Sequence, residues 1–376
     1  MRKICYISGT RADFGIMKST LQCINNDKKL DLRVIVTGMH LLKKYGNTWK
    51  EISASNLTIA GKVEVLLTGS EGHEMAIALG EQVIEFTKIL KTNNPDMLLL
   101  LGDRGEMLAG AIAALHLNIP IVHIHGGELS GTIDDSIRHS ISKLAHFHFT
   151  STKKSRNRLI KMGEFPNNIF VTGAPGLDEI KNITLIERKL LLTKYQLLQT
   201  EPYLLFLFHP VVQQIESIEK QIEIIMKVLL KNDQQILILM PNSDSGSSLI
   251  TNVIKKYQIQ EKIQIITHAP RVDFLSLVSN AEVFVGNSSS GIIEAASLGT
   301  PVLNLGDRQK FRERNSNIID VEISSHAIKK GLIKAQKMHD KSWKNCYGDG
   351  NSSSRIVKLL KNLPFDSYIL EKVNAY

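Results

Sequence analysis

The chain has 376 residues, of which 43% are hydrophobic and 22% charged, and its formal net charge is +9. That length favours two domains of about 150–200 residues each, and the composition is typical of a globular protein. No apolar run approaches the roughly 20 residues that span a bilayer. The three scattered cysteines, Cys5, Cys23 and Cys346, have neither a disulfide nor a zinc spacing. The sequence therefore predicts a cytoplasmic protein of a reducing compartment, without a membrane partner.

The positive charge has two interpretations. The Lys and Arg residues are spread along the chain, without a block of five or six, and aromatic residues make up only 6% of the sequence. A nucleic-acid partner is therefore not predicted. A lysine-rich solvated surface, which also suits an anionic substrate, explains the charge better.

In the N-terminal half, short apolar runs alternate with amphipathic stretches. The apolar runs are continuous, as expected of strands that are covered on both faces. The predicted strands are Lys3–Ile7, Leu32–Val36, Met97–Leu101, Ile119–Ile124 and Phe147–Thr150, and the predicted helices are Phe14–Asn25, Glu74–Leu90, Glu106–His116 and Ser136–Leu144. This βαβ series predicts a parallel sheet in a first domain, residues 1–178.

The same pattern restarts after a Lys- and Leu-rich stretch that ends near Thr200. The predicted strands are Tyr203–Phe208, Gln235–Met240, Ile263–Ile266, Glu282–Val285 and Pro301–Leu305, and the predicted helices are Gln213–Leu230, Leu249–Tyr257, Val272–Ser279 and Ser289–Ser297. The sequence thus predicts an α/β protein of two doubly wound, Rossmann-like domains, with a second domain over residues 179–352 and an active site in the cleft between the domains. The amphipathic stretch Ser353–Leu363, in the segment 353–376, is predicted to pack back on the first domain.

Residues that carry chemistry follow the predicted strands of the first domain. The loop Gly9–Gly15 has small residues, a helix N-terminus and the cation of Arg11, all of which suit a phosphate. It is neither GxGxxG nor a P-loop, so an ordinary βα turn explains it equally well. Asp103 ends a strongly apolar strand, where a carboxylate is costly unless it is paired or used. Asp103 is therefore a catalytic candidate, with an N-cap of the next helix as its alternative role.

The segment from His123 to His139 holds three His, three carboxylates, one Arg and three Gly within 17 residues. A loop that only connects two elements does not need so many ionisable groups, so the segment predicts acid/base chemistry. His123 and His125 share one strand face, which also permits a metal site with further ligands from Asp134, Asp135 or His139. One of the two aspartates is alternatively the cap of the helix Ser136–Leu144.

The second domain contains the string Gly286-Asn287-Ser288-Ser289-Ser290-Gly291, at the junction of a predicted strand and helix. Several hydroxyls and backbone N–H groups converge there, which suits a diphosphate. Glu294, about one turn into the helix, is placed to accept hydrogen bonds from the two hydroxyls of a ribose. Other residues that follow strands and are candidates to line a nucleotide are His209, Arg271 and Arg308. A purely structural role is the alternative for His209 and for Arg271.

In their order along the chain, these motifs resemble those of the hydrolysing UDP-N-acetylglucosamine 2-epimerases of sialic-acid-type pathways, including the epimerase half of the bifunctional animal enzyme. The shared strings are SGTRADFG, VTGMH, YGNT, LGDR, HIHGGELSGTIDDSIRHSISKLAH, FHP, PNSDSG, GNSSSGIIEA, GTPVLNLGDRQ and YGDGN. The long central string is highly specific, whereas each of the others alone is not. The resemblance implies a glycosyltransferase-B-like fold, no metal or other cofactor, and a homodimer or homotetramer.

The resemblance also implies the reaction. Anti elimination of UDP across C1 and C2 of the sugar gives a 2-acetamidoglucal intermediate, and hydration from the other face releases N-acetylmannosamine. The implied catalytic residues are Asp103, Glu128 and Asp134, with support from Arg138 and His139. His125 stands where many relatives have Glu, and it joins the candidates for exchanging the C2 proton. The implied UDP-binding residues are Arg11, His209, Asn242, Arg271, Ser288, Ser289, Ser290, Gly291, Glu294 and Arg308.

Four alternatives stay open. Related enzymes perform the same chemistry on UDP-N,N′-diacetylbacillosamine, for legionaminic acid, and no residue of the sequence identifies the group at C4; the motif string favours UDP-N-acetylglucosamine. A retaining glycosyltransferase is indicated by the segment Glu294–Pro301, although the second Glu that such enzymes usually carry is replaced by Gly286. A metallohydrolase would use His123 and His125. A nucleic-acid binder has only the net charge in its favour.

Overall fold

The computed structural model describes residues 1–43, 46–65, 72–131, 133–241, 246–338, 342–364 and 367–375. The chain divides into two compact units. The first comprises Met1–Glu128, Asp134–Glu179 and Tyr347–Tyr376, and the second comprises Leu129–Ile133 and Ile180–Cys346. Each unit is built on its own parallel sheet, so the predicted pair of Rossmann-like domains is confirmed. No helix in the described ranges is long and apolar enough to cross a membrane.

The first unit alternates strands and helices from its first residues onward. Its strands are β1 Arg2–Ser8, β2 Leu30–Thr37, β3 Thr58–Val63, β4 Met97–Leu101, β5 Ile121–Ile124, β6 Phe147–Thr150 and β7 Ile169–Val171. Its helices are α1 Arg11–Asn25, α2 Trp49–Ala54, α3 Gly72–Asn93, α4 Gly105–His116, α5 Ile133–Leu144, α6 Lys153–Lys161 and α7 Gly176–Asn182. The sheet order is β3-β2-β1-β4-β5-β6-β7, and the direction of winding reverses between β1 and β4. In such sheets ligands bind outside the carboxyl ends of the strands at the reversal, which is where β1 and β4 end, at Ser8 and Leu101.

The second unit repeats this architecture with six strands. Its strands are β8 Tyr203–Leu207, β9 Gln235–Leu239, β10 Ile263–Ile266, β11 Val283–Gly286, β12 Val302–Leu305 and β13 Ile318–Val321. Its helices are α8 Arg188–Lys194, α9 Ile218–Leu229, α10 Ser247–Lys255, α11 Arg271–Asn280, α12 Ser289–Ile293 and α13 Ser325–Gln336. The sheet order is β10-β9-β8-β11-β12-β13, so the winding reverses between β8 and β11. Two predicted helices are shorter than expected, because Val212–Ser217 and Ala295–Leu298 are 3-10 turns.

The chain returns to the first unit at Tyr347, ahead of the expected position 353, and ends in α14 (Ser352–Asn362). The buried Ile356 and Leu360 of α14 belong to the same apolar cluster as Phe14 of α1. The start of α14 is fixed by the carboxylate of Asp178, which accepts hydrogen bonds from the backbone N–H groups of two serines, the first at 2.8 Å. The last helix thus completes the core of the first unit.

Candidate active site

Asp103, after β4, and Arg138, in α5, form the centre of the polar cluster in the first unit. Arg138 is only 1% exposed, and one terminal nitrogen of its guanidinium pairs with Asp103 Oδ2. Its other terminal nitrogen donates to Asp135 Oδ1 at 2.7 Å and to the carbonyl oxygen of Glu128 at 3.1 Å. A buried guanidinium needs such partners because its desolvation is otherwise uncompensated. Arg138 therefore orders two carboxylates and the loop that follows β5.

The capping roles considered for the aspartates are wrong. The residue that precedes α4 is Arg104, and Asp103 is directed to Arg138 instead. Helix α5 begins at Ile133, three residues earlier than predicted, so Asp134 and Asp135 lie within its first turn. Negative charge in the first turn is favourable because of the helix dipole. Asp135 is held beside the loop of Glu128 by Arg138, which contacts both residues.

His125 and Glu128 lie together in the loop after β5. His125 Nδ1 is 3.5 Å from Glu128 Oε1, which also accepts a hydrogen bond from Ser151 Oγ at 2.6 Å. Both side chains are buried. His125 has a φ of 63°, a conformation that is strained for a non-glycine residue and that occurs often at functional sites. Gly127 permits the turn, because a Cβ there would lie 2.4 Å from the carbonyl oxygen of Ser155.

The other two histidines of this segment, His123 and His139, have pKa values that burial lowers. His123 Nε2 is 2.7 Å from the carbonyl oxygen of Gly102, and its Nδ1 is 3.0 Å from Ser142 Oγ. Burial lowers the pKa of His123 to about 3, and because a carbonyl can only accept, the single ring proton is on Nε2. Burial also lowers the pKa of His139. Both ring nitrogens of His123 already have partners, so neither is available to bind a metal ion. The described residues contain no group of three side chains able to hold a metal ion.

Buried imidazoles are expected to make the fold sensitive to acid. Burial lowers the pKa of His123 to about 3 and those of His40 and His146 to about 4. Since the unfolded chain binds these protons near pH 6.5, the stability is complete above that pH and falls as the pH decreases towards 4. At pH 5 each group costs on the order of 2 kcal/mol. Urea unfolding at pH 7 and 5 should show this loss.

The variant that tests this acid sensitivity is His146→Gln. Glutamine can still accept the hydrogen bond that His146 Nδ1 takes from the N–H of Ile121 at 3.0 Å, but it cannot be protonated. We expect the loss between pH 7 and 5 to be smaller in His146→Gln than in the wild type, and unchanged in the control His116→Gln, whose histidine is exposed. The same loss in His146→Gln as in the wild type would contradict this expectation.

The loop after β1 differs from the expected phosphate loop. Asp13 accepts hydrogen bonds from the backbone N–H groups of Gly9 at 2.9 Å and Thr10 at 2.6 Å, and Thr10 in turn caps α1. These amides are therefore not available to a phosphate. Arg11, whose Nε is 3.0 Å from Glu51 Oε1, stays as the candidate contact at this loop. Burial raises the pKa of Asp13 to about 6. Sequence reasoning did not single out this carboxylate.

In the second unit, Asn287 connects three loops that carry predicted site residues. Its side chain accepts from the N–H of His209 at 2.7 Å and donates to the carbonyl oxygen of the same residue at 2.8 Å. Its own carbonyl oxygen accepts from Arg308 at 3.1 Å and from Gln309 at 3.0 Å. Gly286, with a φ of 145°, permits this approach, because a Cβ would lie 1.9 Å from the carbonyl oxygen of Leu207. Sequence reasoning missed Asn287 as a site residue, although a buried Asn between a strand and a helix was a usable signal.

The serine string and Glu294 flank the short helix α12. Ser288 Oγ caps α12 by accepting from the N–H of Ser290 at 3.3 Å, whereas Ser289 and Ser290 are partly exposed, and Gly291 is buried against the sheet. Glu294 is 3% exposed, and both of its carboxylate oxygens accept hydrogen bonds from Arg271, the first residue of α11. Arg271 is thus a partner of Glu294. Asn242 lies outside the described residues.

Comparison with known proteins gives a consistent result. Residues 22–361 match the UDP-N-acetylglucosamine 2-epimerase family. The chain is 47% identical over 376 residues to the UDP-N,N′-diacetylbacillosamine 2-epimerase (hydrolyzing) of Legionella pneumophila, with 100% of each chain covered. It is 36% identical to the GDP/UDP-N,N′-diacetylbacillosamine 2-epimerase (hydrolyzing) of Campylobacter jejuni, over 98% of this chain and 97% of that relative. The UDP-GlcNAc 2-epimerase of Methanocaldococcus jannaschii, solved with UDP-GlcNAc and UDP, superposes with a TM-score of 0.81 at 24% identity, over 95% of this chain and 99% of that one.

Proposed function

Since the chain belongs to the UDP-N-acetylglucosamine 2-epimerase family, a family of enzymes, as the motifs indicated, we propose that it is a hydrolysing 2-epimerase that acts on UDP-N,N′-diacetylbacillosamine. This choice of substrate is supported by the 47% identity, along the whole chain, to an epimerase of that name. The motif string favoured UDP-N-acetylglucosamine, which stays as the second candidate because the more distant structural neighbour was solved with that sugar nucleotide.

The first unit holds the groups that this reaction needs. The C2–H bond breaks, its electrons form the C1=C2 double bond, and the C1–O bond breaks as UDP leaves. Water then adds its hydroxyl to C1, and a proton is delivered to the opposite face of C2. These steps require two separate groups that exchange protons with the substrate. We assign these roles to Asp103, which is held by Arg138, and to the His125–Glu128 pair, which is held by Ser151.

The second unit supplies the groups for the leaving UDP. We infer that the hydroxyls of Ser289 and Ser290, together with His209 and Arg308, receive the diphosphate, because donors arranged around a developing anion stabilise its departure. Asn287 supports this role, since it fixes the loops of His209 and Arg308 beside the serine string.

The direct test is incubation of the protein with each sugar nucleotide in deuterated water, followed by proton NMR. We expect stoichiometric UDP and a free 2-epimeric sugar with deuterium at C2, and a higher kcat/KM for the diacetamido substrate. Release of UDP without any acceptor would exclude a retaining glycosyltransferase. A higher kcat/KM for UDP-N-acetylglucosamine would replace the proposed substrate by the second candidate, and no release from either would overturn the proposal.

Replacing Glu294 by Ala is expected to weaken UDP binding by about 10–100-fold, because hydrogen bonds to a charged acceptor are worth about 1.5–3 kcal/mol. The chemical step should change less, since a ribose contact is made equally in the ground and transition states. Calorimetric titration with UDP and single-turnover kinetics separate the two effects. In Glu294→Gln the one side-chain oxygen can still accept a hydrogen bond from Arg271, so its UDP affinity should be intermediate. Unchanged UDP affinity in Glu294→Ala would remove Glu294 from the nucleotide site.

A further inference from the structure

Lys372, near the end of the described chain, caps the C-terminal end of α5. Its Nζ lies 2.5 Å from the carbonyl oxygen of Ala145, 2.8 Å from that of Lys143 and 3.2 Å from that of Ser142. Carbonyls in the last turn of a helix have no N–H partner within that helix, and a cation there is also favoured by the helix dipole. The C-terminal tail thus supplies a cationic cap for α5.

Glu164 fixes Lys372 in this position. This carboxylate is 3% exposed and lies 2.7 Å from Lys372 Nζ, 2.7 Å from Lys143 Nζ and 3.0 Å from His148 Nε2. Burial alone would raise the pKa of Glu164, but the three hydrogen bonds outweigh it and lower the pKa to about 2. The tail is further held by the N–H of Ala375, which donates to the carbonyl oxygen of Gly163 at 2.8 Å. Removal of Lys372 would leave Glu164 with two cationic or donor partners, so the fold should persist.

Buried hydrogen bonds connect this end of α5 to the acid/base cluster. Ser142, whose carbonyl oxygen accepts from Lys372, places its hydroxyl 3.0 Å from His123 Nδ1. The Nε2 of the same ring donates to the carbonyl oxygen of Gly102 at 2.7 Å, and Gly102 directly precedes Asp103. Arg138, one turn before Ser142 on α5, binds the Asp103 carboxylate. The position of α5 therefore determines both the backbone and the side chain of the Asp103 loop.

We propose that Lys372 is a positioning residue for the 2-epimerase reaction. It holds the C-terminal end of α5, and thereby sets the Arg138–Asp103 pair and, through Ser142, the His123–Gly102 contact. Arg138 and Ser142 both lie on α5, so a shift of this helix would displace both, and a displacement of about 1 Å at a reacting centre can cost about 100-fold in rate. This role rests on the proposed function. Lys372 itself touches no reacting atom, so its loss should affect kcat and leave substrate binding largely unchanged.

The test compares Lys372→Met with Lys372→Arg, which keeps a cation able to cap α5 and pair with Glu164. We expect kcat to fall about 10-fold in Lys372→Met, KM to stay within about twofold, and Lys372→Arg to recover most of the loss. The matched control is Lys361→Met in α14, which removes another lysine–carboxylate pair, with Asp27 at 2.6 Å, and should keep the wild-type kcat. Wild-type kcat in Lys372→Met, or an equal loss in Lys361→Met, would overturn the proposal.

Hydrogen exchange separates this proposal from the proposed function. In the absence of substrate, amides of α5 up to Ala145 should exchange faster in Lys372→Met than in the wild type, and as slowly as the wild type in Lys372→Arg and Lys361→Met. Unchanged exchange rates in Lys372→Met would overturn the capping role, independently of which reaction the protein catalyses. If the wild type released no UDP from either sugar nucleotide, the proposed function would fail, while the exchange result would still decide whether Lys372 fixes α5.

Discussion

Turnover in Asp103→Asn is expected to fall by about 10²–10⁴-fold, the range that a positioned acid or base contributes. Asparagine has the same shape, and its side-chain oxygen can still accept from Arg138. It cannot take up a proton or carry the negative charge, so the loss should be in kcat. UDP affinity should stay within a few-fold of the wild type, because the predicted nucleotide contacts other than Arg11 belong to the other unit. Rates of UDP release and calorimetric titration with UDP measure the two quantities.

A matched control for Asp103→Asn exists at the opposite end of the same strand. Asp96 precedes β4 and accepts a hydrogen bond from the N–H of Lys3 at 2.7 Å. Asp96→Asn makes the same chemical change and keeps that acceptor, so we expect wild-type turnover. If Asp103→Asn kept substantial turnover, Asp103 would be removed from the acid/base set. Equal losses in both variants would indicate damage to β4 instead of lost chemistry.

The fold was predictable where strands are buried on both faces. The ranges Met97–Leu101 and Phe147–Thr150 agree residue for residue between sequence and structure, because a short continuous apolar run leaves little choice of boundaries. The edge strands β3, β7 and β13 were not identified. In β3, Gly61 and Lys62 interrupt the apolar pattern, since one side of an edge strand has no neighbour to cover it.

The candidate site was predictable as a set of residues but not as a set of contacts. Asp103 was identified because it follows a buried strand, and Arg138 because it lies in the segment from His123 to His139 that is dense in ionisable groups and because of the family resemblance. Their pairing depends on the alignment of β4 and β5, whose residues Leu101 and Ile124 are neighbours in the sheet. Asn287 shows the converse: its neighbours in sequence were chosen for their hydroxyls, while the contacts by which its amide and carbonyl order the loops of His209 and Arg308 depend on the folded sheet.

Arg138→Lys is expected to lower kcat by about 100-fold and the free energy of unfolding by about 1–3 kcal/mol. The guanidinium donates from two different nitrogens to Asp103 and Asp135, whereas an ammonium is a compact charge on a thinner stem and cannot reproduce that fork. The lysine variant keeps the positive charge, so a loss of kcat or stability would result from the changed geometry of the contacts to Asp103 and Asp135. Kinetics of UDP release and urea unfolding check the two parts.

The control for Arg138→Lys is Arg33→Lys, at a partly exposed pair with Asp31, where a change below about 1 kcal/mol in stability and no change in kcat are expected. Wild-type kcat in Arg138→Lys would show that the Asp103 carboxylate does not depend on its guanidinium partner. The double variant Asp103→Asn/Arg138→Lys tests whether the two residues act as one unit. If Arg138 acts on catalysis only by orienting Asp103, the double variant should be no slower than Asp103→Asn alone, because residues that act as one unit are not additive. An additional loss would mean that Arg138 also acts on the reaction through Asp135 or through the loop at Glu128.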